Sequence, residues 1–502
     1  MTMKLTRRAL LTTAISSVAT VAFAEAPLTS LRPVGRAGSE VPVAQIPASQ
    51  IVADAGLGGV VGYVVSDLKT GEVLEEANAD VALPPASVTK AVTTVYALEA
   101  LGNDFTYRTR LLADGPIVDG VLNGNLILAG SGNPNLVTDD LVALVAAMQS
   151  AGLKQVNGGF HVWGEALPYL DEIDESQLDH LGYNPSISGL NLNFNRVHFE
   201  WKRANGAYSV TMDARSETER PAVYTSRMRV VDRRVPVYTY AKVGNVDEWT
   251  VARSALGDAG SRWLPVRNPR LYTGDVFQTL ARAKGVVLAN PEVIQTLPNA
   301  PELAGVDSIS LREMMRNMLK FSTNLTAEAA GLLATAKRTG NVIGLRTSAL
   351  GMSQWVNTKA GLTTAFADHS GLSDQSAISA GDMVRLLESN GTAAMLRPIL
   401  KYIVMTNEER REIRNFPADV RAKTGTLNFV SSLAGYVQTP GGRDLAFTIF
   451  AAEPEARAAG KLLPDDQPPG AASWNRRAKR LQQRLLQRWA LEYAAPNASD
   501  DT

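Results

Sequence analysis

The sequence of 502 residues contains no cysteine. Disulfides, thiolate metal sites and thiol nucleophiles are therefore excluded, and the redox compartment is left unmarked. Histidine is almost as scarce. His161, His180, His198 and His369 are scattered without H-x-H or H-x-x-x-H spacing, which argues against a histidine-built metal centre. Net charge is missing too, because 50 basic residues cancel 50 acidic ones. No overall field points to nucleic acid or to an acidic partner. What remains for chemistry is hydroxyl, lysine, amide and carboxylate. The 45% hydrophobic and 20% charged composition is that of a globular protein long enough for two to four domains.

Residues 1–24 read as an export signal. Lys4, Arg7 and Arg8 form a basic start, Ala9 to Ala22 an apolar and small-residue run, and Ala22-Phe23-Ala24 a cleavage site. The run falls short of the ~20 residues that a membrane span needs, so a cleaved signal is preferred to an anchor. Thr6 to Leu11 resembles a twin-arginine signal, but adjacent arginines are common in basic starts and the export route stays open. The mature protein is expected to work outside the cytoplasm.

After a Pro/Gly/Ser-rich lead-in to about Ser49, Gly59 to Asp67 and Val73 to Glu75 read as a hairpin around Lys69-Thr70-Gly71-Glu72. From about Asn103 to Pro265, short β-like runs such as Leu126–Ala129 and Phe160–Trp163 alternate with turn clusters and one helix, Leu141 to Met148. No catalytic constellation stands out in this stretch. Asp171 to Glu175 lacks the ligand spacing of a calcium loop and is expected to be a solvated acidic loop. Helical patterns return at Gly274–Lys284, Ser310–Lys320, Ala327–Lys337 and Ser379–Glu388, and Ser432–Val437 with Leu445–Phe450 predicts a second hairpin. Trp474 to Tyr493 is amphipathic, with Trp474, Ala478, Leu481, Leu485, Trp489 and Tyr493 on one face and arginines opposite. Packing of this helix on the sheet is the preferred reading. Membrane-surface contact is compatible with its basic face but not required.

The centre of the chain is Pro84-Pro85-Ala86-Ser87-Val88-Thr89-Lys90, just before an apolar helix. Residues three apart on a helix share a face, so Ser87 and Lys90 come within hydrogen-bonding reach. A serine needs a neighbouring base to become a nucleophile. Lysine can serve only when neutral, which requires its pKa of roughly 10.4 to fall by about 3 units. Alone, the pattern is weak, since a serine at a helix start is commonly an N-cap. Two further motifs lie far downstream: Ser322-Thr323-Asn324 between two helices, and Lys423-Thr424-Gly425-Thr426 entering the second hairpin. Gly425 would let another backbone or a ligand approach closely.

This ordered triple resembles the signature of the penicillin-recognising serine acyl-transferases. The flanking runs, including Gly130-Ser131-Gly132-Asn133-Pro134, Ser322 to Glu328 and Asp368-His369-Ser370-Gly371-Leu372-Ser373, narrow the resemblance. They are similar to the D-alanyl-D-alanine carboxypeptidase/endopeptidase family, peptidase family S13, low-molecular-mass penicillin-binding proteins with a large insertion between the first two motifs. His369, Thr323 and Asn133 depart from the family's usual residues but spare the acid–base and nucleophile positions.

The resemblance implies an α/β fold: a transpeptidase/β-lactamase-like domain, an antiparallel sheet flanked by helices, interrupted by β-rich inserted domains. The expected division is 1–24 signal peptide, 25–102 first part of that domain, 103–266 insertion, and 267–502 second part. It also implies roles. Ser87 attacks the carbonyl between two D-alanines and neutral Lys90 takes its proton. Ser322 passes a proton to the leaving nitrogen, and Asn324 holds the acyl-side amide. Lys423 supplies positive charge that keeps Lys90 neutral and attracts the terminal carboxylate. Thr424, Gly425 and Thr426 form the substrate-binding strand, the two threonines bonding that carboxylate. Backbone N–H groups of Ser87 and Thr426 form the oxyanion hole. No metal or cofactor is implied. The implied partners are peptidoglycan peptides and β-lactam antibiotics in the periplasm, with oligomeric state unread. A serine β-lactamase, an esterase of the same fold and a non-catalytic cell-wall scaffold are the rivals.

Overall fold

Hydrophobic runs with strand-like composition close to both ends of the chain build one sheet. In the computed structural model, which describes residues 43–463 and 466–494, six strands are involved. They are β1 (Val60–Asp67), β2 (Val73–Ala77), β3 (Lys401–Tyr402), β4 (Asp419–Leu427), β5 (Val430–Gln438) and β6 (Asp444–Ala452). They pair antiparallel in the order β3-β4-β5-β6-β1-β2. The export-signal reading of residues 1–24 lies outside the described residues.

β5 and β6 are buried along nearly their whole length, because helices cover both faces of the sheet. On one side lie α1 (Thr89–Leu101), α2 (Leu311–Phe321) and α3 (Asn324–Thr339), sharing a core with Val430, Ala434 and Phe450. α1 is apolar nearly all round and buries every residue from Thr89 to Leu98, as a central helix must. On the other side lies α4 (Ala471–Glu492). Its Trp474, Ala478, Leu481, Leu485 and Trp489 are no more than 2% exposed against Leu433, Val437 and Phe447. Burying a large apolar side chain stabilises by roughly 1.5–3 kcal/mol, so the apolar face of this helix is held by the sheet.

The segment between α1 and α2 builds a second core around Leu128, Phe160, Trp249 and Phe277. Its five-stranded sheet runs in the order Pro291–Ile294, Phe160–Trp163, Asn125–Ala129, Arg108–Asp114, Glu302–Asp307. Two three-stranded sheets, from Arg196 to Pro265, stand beside it. Helix Pro269–Ala283 shares the second core, and two further strands complete its sheet as far as Asp307. The acidic run is also more than a solvated loop. Glu172 pairs with buried Arg267 at 3.4 Å, while Asn184 accepts from the Ile173 and Asp174 N–H groups.

Candidate active site

Ser87 sits in a single 3-10 turn, Ala86–Val88, and α1 begins two residues later at Thr89. Ala86 has a left-handed φ of +46°, unusual for a residue with a side chain. The turn is wedged from two directions. Gly371, at φ +75°, presses against the Ala86 carbonyl where any Cβ would overlap it. Across the turn, a Cβ on Gly425 of β4 would stand 2.7 Å from the Pro85 oxygen and 3.0 Å from the Ser87 nitrogen. Close packing thus holds Ala86, and with it the turn that carries Ser87, in a conformation that the local sequence would not choose.

Lys90 is wholly buried one turn along. Its Nζ lies 3.0 Å from Ser87 Oγ, 2.7 Å from Asn324 Oδ1 and 2.8 Å from the Ser370 main-chain oxygen. Burial pulls its pKa down to about 8, against the opposing pull of Glu328 and Asp368. Those two carboxyls are also buried, and burial raises both, Glu328 to about 8. Asp368 accepts from the Gly371 and Ser373 N–H groups at 2.7 Å each, and Glu328 accepts from the His369 N–H at 2.8 Å. Together they pin the loop that presents the Ser370 carbonyl.

Ser322 ends α2 in a left-handed conformation, φ +62°, and Asn324 opens α3. The two-helix junction therefore turns both side chains toward the α1 terminus. Lys423, 1% exposed, donates to Ser322 Oγ at 3.0 Å and to the Thr424 carbonyl at 2.6 Å. Burial, with Lys90 and Lys401 nearby, holds Lys423 well below the usual lysine range. Burial is the leading cause of the lowering at both lysines, and Lys90 adds to it at Lys423.

Strand alternation divides the β4 run. Lys423 and Gly425 face α1, while Thr424 and Thr426 stand opposite Leu433 and Ser431 on the α4 side. β3 pairs only with Arg421 and Ala422, which leaves the outer edge of β4 beyond Ala422 without a strand partner among the described residues.

Ser87, Ser322, Asn324 and Thr426 line one cavity of about 480 Å³. Lys90 and Lys423 lie beneath its wall, and Thr424 instead lines a neighbouring cavity. The expected catalytic groups are thus brought together, with Thr424 on the far side of the strand. Sequence reading missed the insertion's share. Ser176, Gln177 and Tyr183, just after the acidic run, line the same cavity, and Asn324 Nδ2 donates to the Tyr183 carbonyl at 2.8 Å. Thr323 Oγ1 reaches Thr326, and Thr326 reaches Asn135 beside the Gly132-Asn133-Pro134 turn, at 2.9 and 3.2 Å. No group of acidic, histidine or cysteine side chains suited to a metal ion occurs among the described residues.

A sequence model of the D-Ala-D-Ala carboxypeptidase 3 (S13) family matches residues 44–463. The chain is similar to a D-alanyl-D-alanine carboxypeptidase of an Actinomadura species, 28% identical over 436 residues, covering 78% of this chain and 77% of that one. It is also similar to the D-alanyl-D-alanine carboxypeptidase DacB of Haemophilus influenzae, 24% identical over 436 residues, 78% of this chain and 85% of that one. Among solved structures, penicillin-binding protein 4 from Haemophilus influenzae shares the fold. Its TM-score is 0.71 at 20% identity, over 88% of this chain and all (100%) of that one.

Proposed function

The chain belongs to the D-Ala-D-Ala carboxypeptidase 3 (S13) family and is a serine-type D-alanyl-D-alanine carboxypeptidase; we propose that it also cleaves crosslinks as an endopeptidase, with Ser87 as its acylated nucleophile and Lys90 as its general base. The carrying observation is the setting of Lys90 Nζ. It is buried, drawn down toward neutrality, and hydrogen-bonded to Ser87 Oγ with two oxygen acceptors on its other sides.

In this reading Ser87 Oγ bonds to the carbonyl carbon of the penultimate D-alanine while its proton passes to Lys90. The C–N bond then breaks, and the nitrogen leaves as an amine with a proton delivered through Ser322. Water later cleaves the ester and frees Ser87. The main-chain N–H groups of Ser87 and Thr426 hold the developing oxyanion; losing one such donor typically costs about 2.7–4 kcal/mol. The open edge of β4 accepts the substrate as an added strand. Asn324 binds the acyl-side amide. Lys423, which donates to Ser322, regains the advantage of its charge when a terminal carboxylate arrives beside it. Thr424 and Thr426, on the α4 face of the strand, bond that carboxylate.

The substrates proposed are peptidoglycan stem peptides and their crosslinks, and β-lactams acylate the same serine. The place of action proposed is the periplasm. Among the described residues no helix is long and apolar enough to cross a membrane. The domain division proposed is two sequence halves forming the catalytic sheet and helices, with 108–307 as the inserted part. Labelling with a fluorescent penicillin, followed by D-alanine release from a pentapeptide, tests the assignment. A long-lived label and D-alanine release are expected, and both should disappear in Ser87→Ala. Rapid turnover of the penicillin would point to a β-lactamase instead.

A further inference from the structure

A second cavity, of about 330 Å³, opens between β4 and α4. Its sheet wall carries Thr424, Gly425 and Thr426, and Thr426 also lines the cavity that holds Ser87. The two cavities therefore meet at the proposed carboxylate-binding strand. The opposite wall is cationic. Arg476, Lys479 and Arg480, spaced to share one face of α4, are joined by Arg410 from the loop after β3. Glu408 is the only acid on the wall, and Arg484 is already engaged by Asp54 at 3.5 Å. Among the described residues, Arg410, Arg476, Lys479 and Arg480 make no ion pair through their side chains.

Gathering like charges in a concave site raises the local potential and draws in anions. A leaving D-alanine offers one carboxylate, which the threonines at the strand edge can take. It leaves the exposed cations of the opposite wall unanswered. The leaving group of a crosslink is larger: a second stem peptide that carries several carboxylates. From the endopeptidase reading above, on which it rests, we propose that this cavity is a leaving-group subsite that binds the acidic second peptide of a crosslinked substrate. A lipid surface suits the site less well. The apolar residues of α4 are spent on the sheet, and the cations face a hollow whose floor includes Ser431 and Leu433, 1% and 3% exposed.

Arg476, Lys479 and Arg480 are exposed, so replacing all three by glutamine spares the core. The R476Q/K479Q/R480Q protein is compared with the wild type on a D-alanine-terminated pentapeptide and on a D-alanyl-crosslinked peptide dimer. The expected result is a KM for the dimer raised about tenfold, a scale that modest losses at three exposed charges can reach. D-alanine release from the pentapeptide, penicillin acylation and Tm should stay at wild-type values. Raising salt from about 0.05 to about 0.5 M should raise the wild-type KM for the dimer and leave the variant's nearly unchanged, because screening acts on those charges. An unchanged KM for the dimer, or an equal loss on both substrates, would overturn the subsite. Cation-dependent binding to phosphatidylglycerol vesicles with unchanged dimer kinetics would overturn it in favour of a membrane role. A wild-type protein that neither forms a penicilloyl adduct nor releases D-alanine would instead overturn the underlying activity.

Discussion

The Ser370 main-chain oxygen accepts a 2.8 Å hydrogen bond from Lys90 Nζ, and this contact helps decide where the lysine's lone pair points. A neutral amine has two N–H donors. Asn324 Oδ1 and the Ser370 carbonyl, both acceptors only in this geometry, use them. The lone pair is left for the Ser87 hydroxyl at 3.0 Å. A base is useful only if its free electron pair faces the proton it must take, so the loop carrying Ser370 becomes part of the catalytic design.

Asp368 holds that loop by accepting from Gly371, Ser373 and Ser376. Asparagine has one acceptor oxygen and would turn an N–H₂ group toward those donors. Asp368→Asn should therefore displace the Ser370 carbonyl and slow penicillin acylation by about 10²-fold, the scale expected when a catalytic group is misplaced by an ångström. Stopped-flow acylation kinetics read this directly. A wild-type rate in a variant whose loop has kept its place would show that Asp368 has no positioning role.

The pH profile should carry the mark of the buried cluster. Lys90 acts when neutral, and burial brings its pKa to about 8, so the acylation rate should rise with pH and level off above that point. Glu328 opposes the shift by favouring the charged lysine. Glu328→Gln removes that opposition and should move the rising limb to lower pH. Stability responds as well. The raised pKa of Glu328 means that its contribution is full below the ordinary carboxylate range and is lost as pH rises through about 8. The glutamine variant should lose that slope in Tm measured against pH. An acylation limb that stays in place or moves upward would contradict the assignment.

Gly425 has no room for a side chain, because a Cβ would stand 2.7 Å from the Pro85 oxygen and 3.0 Å from the Ser87 nitrogen. Gly425→Ala should push β4 away from the nucleophile turn and widen the gap between the proposed oxyanion donors. A loss of about 10²-fold in acylation is predicted, as for removal of one donor. The change in Tm should be small beside that loss, since β4 can shift along an edge that no strand closes. Unimpaired acylation in the folded variant would show that the close approach is incidental.

The fold and the main groups of the proposed site were legible because side chains carry them. Ser87, Lys90, Ser322, Asn324 and Lys423 are chemically distinctive; the first four stand at helix ends and Lys423 within a strand, elements that hydrophobic periodicity locates. The Ser370 and Tyr183 carbonyls were not legible, since every residue has a carbonyl and only folding aims one at Lys90 or Asn324. Glu328 and Asp368 lay within runs already singled out, yet burial, which no spacing reveals, is what makes them part of the cluster. The strands that complete the sheet of the second core, Pro291–Ile294 and Glu302–Asp307, escaped sequence reading because they are short and lie beyond a helix. Nor does spacing reveal that burial is the leading cause of the lowered pKa at both lysines.

His369 is accommodated by close packing against Gly331 of α3. A Cβ on Gly331 of α3 would overlap the His369 ring. The imidazole is wholly buried, bonded to Ser348 Oγ at 2.8 Å, and pulled down to about 3 by burial, so it stays neutral. Gly331→Ala and His369→Gly should each lower stability, the second by about 2–5 kcal/mol as a buried truncation. The double variant should recover part of the loss, a coupling that urea unfolding of the four proteins measures. Strict additivity would mean the two sites do not share space.

The most direct measurement concerns Ser87 itself. Wild-type protein and Ser87→Ala are incubated with a penicillin, and the intact mass and the peptide spanning residues 84–90 are read by mass spectrometry. The predicted result is one penicilloyl adduct in the wild type, located on Ser87, and none in the variant. An adduct of the same mass that persists in folded Ser87→Ala, or that maps to another residue in the wild type, would contradict the assignment of the nucleophile.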